Sequence, residues 1–379
     1  FPSNVQYDLT EGPIEIGLCA HCGLLQLMHS YKLEELYGEN YGYRSGLNSS
    51  MVDHLTLKIK KLQKCAGLVE NDLVLDIGSN DATSLNAYNG EFIKVGIDPT
   101  GLKFKEFYHD DIILIPDFFS KECFFKTIKN KKAKIITAIA CFYDLEDPNK
   151  FVSDIHDCLD DDGIWHFEQS YMPSMLRTNA YDTLCHEHLE FYSFKVVKDL
   201  VEQHELEVID VEMNSVNGGS FAVTVAKKGS NFEKNVGLID WTLMMEGKMC
   251  IDTVTPHLEF ARRVEAHREN FTSLIHALVS SGKKVLGYGA STKGNVILQY
   301  CNFGPEIIQA IAEVNEDKFG SYTPGTNIPI ISEAEAHSLL PDYFIVFPWH
   351  FKENILKKEK DFLERGGKFI FPLPEIEII

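Results

Sequence analysis

Short apolar runs that stop at a turn residue recur along the first part of the chain. Val74-Leu75-Asp76-Ile77, Ile93-Lys94-Val95-Gly96-Ile97-Asp98, Ile135-Ile136-Thr137-Ala138-Ile139 and Gly163-Ile164-Trp165-His166-Phe167 are each too short for a helix, and helical patterns separate them. Strands at that spacing predict right-handed βαβ units and a parallel sheet. Ahead of them Met51, Leu55, Leu57 and Leu62 recur with lysines between, which predicts an amphipathic helix over 51–64. Later, Leu258, Ala261, Val264, Phe271, Leu274, Ile275 and Leu278 mark one long helix over 256–281, stopped by Gly282. Beyond it 285–289, 308–314 and 343–347 read as strands, with helical runs at 294–300 and 352–364. The expected organisation is a small N-terminal Cys-containing segment (1–50), a first α/β domain (51–230), a helical connector (231–282) and a second α/β domain (283–379).

Composition fits that picture. The chain has 379 residues, 44% hydrophobic and 24% charged, which suits two or three folded domains and excludes a disordered chain. With 36 basic against 56 acidic residues the formal charge is −20, which disfavours nucleic acid and anionic membrane as partners. One anionic ligand held by a few N–H groups and a local lysine remains compatible with it. No apolar run approaches the roughly 18 to 20 residues that span a bilayer. Phe1 is followed by neither the basic nor the apolar region of a signal peptide, so the true start is expected upstream. Nine cysteines without a framework pattern read as reduced thiols and place the protein in the cytoplasm. The sequence leaves the oligomeric state open.

Three segments carry candidate chemistry. In Val74 to Thr83 a carboxylate, Asp76, ends a strand and Gly78 sits where the chain must turn into a helix, at the crevice where open parallel sheets bind ligands. A single glycine suits close approach of an adenosine or amino-acid moiety better than a pyrophosphate. Asp98, about twenty residues on, can accept both ribose hydroxyls of an adenosine. Tyr181 to Glu190 is the densest ionisable cluster, with His186-Glu187-His188 at its centre. A histidine there can act as a base at neutral pH; a plain surface turn and a His-x-His metal site are the competing readings, the latter disfavoured because Glu190 is too close for facial geometry. Gly287-Tyr288-Gly289-Ala290-Ser291-Thr292-Lys293-Gly294 follows a strand and opens a helix, so its amides and Lys293 can receive a phosphate. The spacing is not that of a P-loop NTPase. With Glu313 ending the next strand, an NAD-like site is the rival.

Taken together, Tyr41-Gly42-Tyr43-Arg44-Ser45-Gly46, Asp76 to Thr83, His186-Glu187-His188-Leu189, Asn217-Gly218-Gly219-Ser220, Gly287 to Asn295, Pro348-Trp349-His350 and Phe371-Pro372-Leu373-Pro374-Glu375 resemble the S-adenosylmethionine (SAM) dependent sugar C-methyltransferases that act on nucleotide-linked keto-deoxysugars. The resemblance covers nearly the whole chain. It implies a class I SAM methyltransferase Rossmann-like domain followed by a second, C-terminal Rossmann-like domain. SAM would lie against Asp76, Gly78, Asn80 and Asp98, with Tyr43 and Ser45 folding over it. His188 would be the general base, with Glu187, Tyr43 and His186 around the reacting centre. The second half would hold the diphosphate of a nucleotide-sugar, with Asn217, Ser291, Lys293 and His350 on the substrate and Lys352 nearby.

The chain departs from the family in four places. Ala82 replaces a glycine, which adds only a methyl and should leave the pocket intact. Cys19 and Cys22 are half of the family's four-cysteine zinc site, and tetrahedral zinc wants four ligands; the rest is upstream, or is supplied by His21 and His29, or no zinc binds. Cys185 replaces a tyrosine thought to steady the enolate, and Phe142 stands where other members have a catalytic-site histidine. Two replacements at the chemistry keep O- or N-methylation, and a catalytically silent SAM and nucleotide-sugar binder, as alternatives to C-methylation.

Overall fold

A computed structural model describes residues 1–3, 10–31, 42–129 and 131–379; Tyr37 and Tyr41 of the tyrosine-rich N-terminal stretch lie outside them. The strands are β1 (Ile16–Leu18), β2 (Leu25–Leu27), β3 (Leu73–Ile77), β4 (Ile93–Ile97), β5 (Ile112–Ile115), β6 (Ala133–Ile139), β7 (Leu159–Ser170), β8 (Glu190–Phe191), β9 (Leu206–Asn214), β10 (Ser220–Lys227), β11 (Val285–Tyr288), β12 (Ile311–Glu313), β13 (Ile330–Ser332), β14 (Tyr343–Val346), β15 (Lys368–Phe371) and β16 (Glu377–Ile378).

Among the described residues the first large sheet runs β5-β4-β3-β6-β7-β10-β9. Strands β5 to β7 are parallel in it, but β10 is antiparallel to both neighbours. The four strands read from the sequence, β3, β4, β6 and β7, are parallel as expected, and to them the structure adds an antiparallel return at β10. Its cause is local: β9 and β10 are joined by residues 215–219, where Asn217, Gly218 and Gly219 all have positive φ (54°, 90° and 125°), so the chain reverses in a hairpin where a crossover would keep it parallel.

Helix α1 (Ser49–Ala66) starts on the Asn48 side chain, which accepts the Ser50 N–H, and ends at Gly67 in the left-handed region. Its buried face is Leu55, Lys58, Ile59, Leu62 and Ala66. Leu57, expected on that face, is two-thirds exposed at 67%, because the stripe follows the 3.6-residue period through Leu55, Ile59 and Leu62.

The second large sheet runs β13-β12-β11-β14-β15-β16, parallel except for the last strand. Between the sheets lie α2 (Val236–Met249) and α3 (Val254–Ser280). Helix α2 is stitched to the first half by Glu246, whose carboxylate accepts the Tyr171 hydroxyl and the Phe194 and Lys195 N–H groups. Helix α3 sends Phe260, Val264, Phe271 and Ile275 into the core of the second sheet. That core also takes in Leu25, Leu27, Met172, Met175 and Tyr181 from the first half, packed with Phe344, Phe347 and Phe369. The small sheet β1-β2-β8 ties the N-terminal segment to the same region. The halves thus face each other across a cleft of about 2890 Å³ lined from both sides.

Candidate active site

The donor side of the cleft is built at the carboxyl ends of β3 and β4. Gly78 has φ +68°, and a Cβ there would stand 3.2 Å from Cys141, so the backbone comes closer to the crevice than a side chain would allow. Asp98 accepts the Asn80 N–H at 2.7 Å and both the N–H and hydroxyl of Thr100 at 2.6 Å, which fixes the turns after β3 and β4 together. Asn80 in turn holds the N-terminal strap: its Oδ1 accepts the Ser45 N–H at 3.0 Å and its Nδ2 donates to the Tyr43 carbonyl at 3.1 Å. Asp81, not singled out from the sequence, accepts the Gly46 N–H at 2.8 Å. The strap therefore lies over the turn, and Tyr43 lines the cleft half exposed. Burial pushes the Asp76 carboxyl up to about 7, with the Thr137 hydroxyl pulling it down and Asp98 pushing it up. Ala82 keeps the glycine-like φ of 60° and packs its methyl, fully buried, with Leu85, Ile59 and Leu62.

The loop 181–188 forms the next part of the cleft wall. His188 Nδ1 stands 2.8 Å from the Thr183 carbonyl, so the ring proton sits on Nδ1 and Nε2 carries the lone pair. Its ring packs on Tyr143 at 4.3 Å. Burial, with the Lys293 ammonium, lowers its pKa to about 4 although the Thr183 carbonyl raises it, so the imidazole is neutral at neutral pH. Glu187 is pushed up to about 7 by burial. Cys185 is buried in the cleft wall. His186 also lines the cleft, where its Nε2 donates to the Gly12 carbonyl at 3.1 Å and its ring lies on Tyr31, so it clamps the N-terminal segment.

Phe142, at the position where other members have a catalytic-site histidine, turns into the core. It has no exposed surface and stacks on Tyr192 at 5.2 Å, inside a cluster with Phe151, Trp165 and Phe167. The residues of that turn that line the cleft are Cys141, Tyr143 and Asp144. Glu168, also unremarked in the sequence, lines the cleft at the end of β7, where His54 at 2.6 Å, Lys58 at 2.8 Å and Asn214 at 2.8 Å surround it. Burial pushes that carboxyl up, but His54 and Lys58 outweigh it and hold it at about 2.

The second half contributes the opposite wall. Gly289, at φ +84°, faces Pro348, which a Cβ would meet at 2.6 Å. Ser291 caps the helix Thr292–Tyr300 through the Gly294 N–H. Lys293 Nζ donates to the Asn217 carbonyl at 2.7 Å, so Asn217 enters the site through its backbone. His350 is held at about 3 by burial and by Lys293. Lys352 pairs with Glu377 and lies over Phe371, so it is not among the cleft residues. Glu313 accepts the Ala290, Val314 and Asn315 N–H groups and pairs with Lys318.

Residues 53–211 match the model of a methyltransferase domain, and residues 215–374 match the model of a C-methyltransferase C-terminal domain. The C-methyltransferase NovU of Streptomyces niveus is 30% identical over 369 residues, covering 97% of this chain and 87% of NovU. The chain belongs to the SAM-dependent C-methyltransferases. Among solved structures, a S-adenosylmethionine-dependent methyltransferase from Clostridium acetobutylicum is 12% identical with a TM-score of 0.36, covering 47% of this chain and 92% of its own. The plantazolicin methyltransferase BpumL is also 12% identical, with a TM-score of 0.36, and covers 47% of this chain and 84% of its own.

For this C-methyltransferase the crevice fits SAM: Gly78 leaves room at the strand end, and Asp76, Asn80 and Asp98 gather polar groups around it. Zinc does not fit. Cys19 and Cys22 lie in the turn between β1 and β2, and among the described residues no group of three or more His, Cys, Asp or Glu gathers about a common point. Among the described residues His21 and His29 thus do not complete Cys19 and Cys22 into the four-ligand set that zinc wants. No helix among the described residues is long and apolar enough to cross a membrane.

Proposed function

We propose that this C-methyltransferase methylates a carbon beside the keto group of a deoxysugar carried on a nucleoside diphosphate. The observation that carries the reading is the His188 imidazole, neutral and with Nε2 free, in a cleft between the donor turn and a wall bearing Lys293. A carbon next to a carbonyl becomes a nucleophile only after losing a proton, and Nε2 of His188 takes it. Asp76, Gly78, Asn80 and Asp98, with Tyr43 and Ser45 over them, would hold SAM, whose sulfonium would supply the methyl to that carbon and leave as a neutral thioether. Glu187, protonated over part of the neutral range, offers an O–H to the oxygen that becomes negative, a role for which the Cys185 thiol is a poor donor. Ser291, Lys293 and His350 face the substrate from the second half and the Asn217 loop from the first, and the Lys293 ammonium complements a diphosphate. Family membership favours carbon as the acceptor over oxygen or nitrogen.

Replacing His188 with Asn tests the assignment. Turnover of a nucleotide-linked 4-keto-6-deoxyhexose and solvent-deuterium wash-in at the carbon beside its keto group should both disappear. SAM affinity by calorimetry should stay unchanged. Retained wash-in in H188N removes the base, and no methyl transfer by the wild type to any member of a keto-sugar panel removes the substrate class.

A further inference from the structure

The loop that carries His188 is gripped from the opposite wall of the cleft. Asp182, with no exposed surface, sits in the turn Tyr181–Thr183, and its Oδ2 accepts a hydrogen bond from Trp349 Nε1 at 2.8 Å. Trp349 belongs to the second half, in the turn that follows β14. Its ring also closes over Gly218, where a Cβ would stand 2.8 Å from it. The residue after Asp182 is Thr183, whose carbonyl receives the His188 Nδ1–H. A second tie runs beside the first, from Lys293 to the Asn217 carbonyl at 2.7 Å.

We propose that Trp349 and Asp182 are positioning residues of the proton transfer: by bonding Asp182, Trp349 fixes the turn 181–183 and so holds the Thr183 carbonyl where it keeps the imidazole proton on Nδ1. The inference rests on the reading of His188 as the base. A neutral imidazole has two tautomers, and only the Nδ1–H form leaves Nε2 able to accept a proton. What selects it is an acceptor at a fixed place beside Nδ1, the same outer-layer control by which metal-bound histidines are oriented. Neither Trp349 nor Asp182 need touch the substrate for this, and the device makes the base depend on the second half being docked.

The experiment compares Trp349→Phe, which keeps a ring over Gly218 but loses the N–H, with Asp182→Asn, which keeps an oxygen for the indole. The tautomer of His188 is read by nitrogen NMR of protein labelled in histidine, with its signals assigned by their loss in H188N. W349F should show an Nε2–H population and a fall in kcat of between about 10- and 100-fold, with the KM for SAM unchanged. D182N should keep the Nδ1–H form and most of kcat. An unchanged tautomer in W349F overturns the inference, whether kcat holds or falls together with Tm. Should the wild type methylate no keto-sugar, the proposed function fails, while the tautomer comparison still decides this point separately.

Discussion

The Ser45 N–H donates to Asn80 Oδ1 at 3.0 Å, and through that bond the N-terminal strap rests on the turn that follows the first strand of the large sheet. Asn80 returns a second hydrogen bond to the Tyr43 carbonyl, so one side chain holds two consecutive stretches of strap. Asn80→Ala removes both. At about 1 kcal/mol each, their loss should weaken SAM binding roughly tenfold or more and raise amide exchange across residues 43–46. Calorimetry and hydrogen exchange measure the two effects, and unchanged SAM affinity would detach the strap from the donor site.

Asp76 gives the donor site a pH dependence. Its folded pKa is raised to about 7 by burial, so the carboxyl is neutral below that and negative above it. SAM carries a sulfonium and an ammonium charge, so its affinity should rise as pH goes from 6 to 8, and Asp76→Asn should flatten the rise. For stability the sign is opposite. The unfolded chain releases this proton near 3.9, the folded chain holds it to about 7, and the contribution is lost as pH rises between the two. Titrating SAM affinity and Tm in wild type and D76N separates the two effects.

Phe142→His should not improve catalysis. The ring is fully buried among Phe151, Trp165, Phe167 and Tyr192, so an imidazole there loses aromatic packing and buries polar atoms. A destabilisation of about 3 kcal/mol follows, with kcat unchanged or lower. Denaturant unfolding and turnover measure it, and a gain in kcat would return position 142 to the chemistry.

What was legible in the sequence follows the range of the interaction. Asp76, Gly78 and Asp98 lie at strand ends, and a short apolar run closed by a turn residue is a local signal, so their crevice could be located in advance. The β9–β10 hairpin carried a local signal too: an alternating run to Asn214, the Asn217-Gly218-Gly219 turn, then a second alternating run from Ser220. The βαβ repetition of the strands before it does not predict this reversal. Phe142 and Tyr143 illustrate a different limit. They are adjacent in one tight turn, and which ring enters the core and which faces the cleft depends on Tyr192 and His188, far along the chain. The tie between Asp182 and Trp349 spans 167 residues, and no periodicity encodes it. Lys293 was found by its motif, but its bond to the Asn217 carbonyl depends on two loops meeting across the cleft.

Leu25, Met172 and Tyr181 of the first half belong to one connected apolar core with Phe344, Phe347 and Phe369 of the second. Cutting the chain after α3 would therefore strip cover from both pieces at once, and each would present sticky surface to its neighbours in solution. The second half of this enzyme is accordingly no cassette to be swapped between relatives by splicing at residue 282: a chimera that keeps this shared core intact must carry the matching residues of β2 and of the helix Met172–Thr178 along with it.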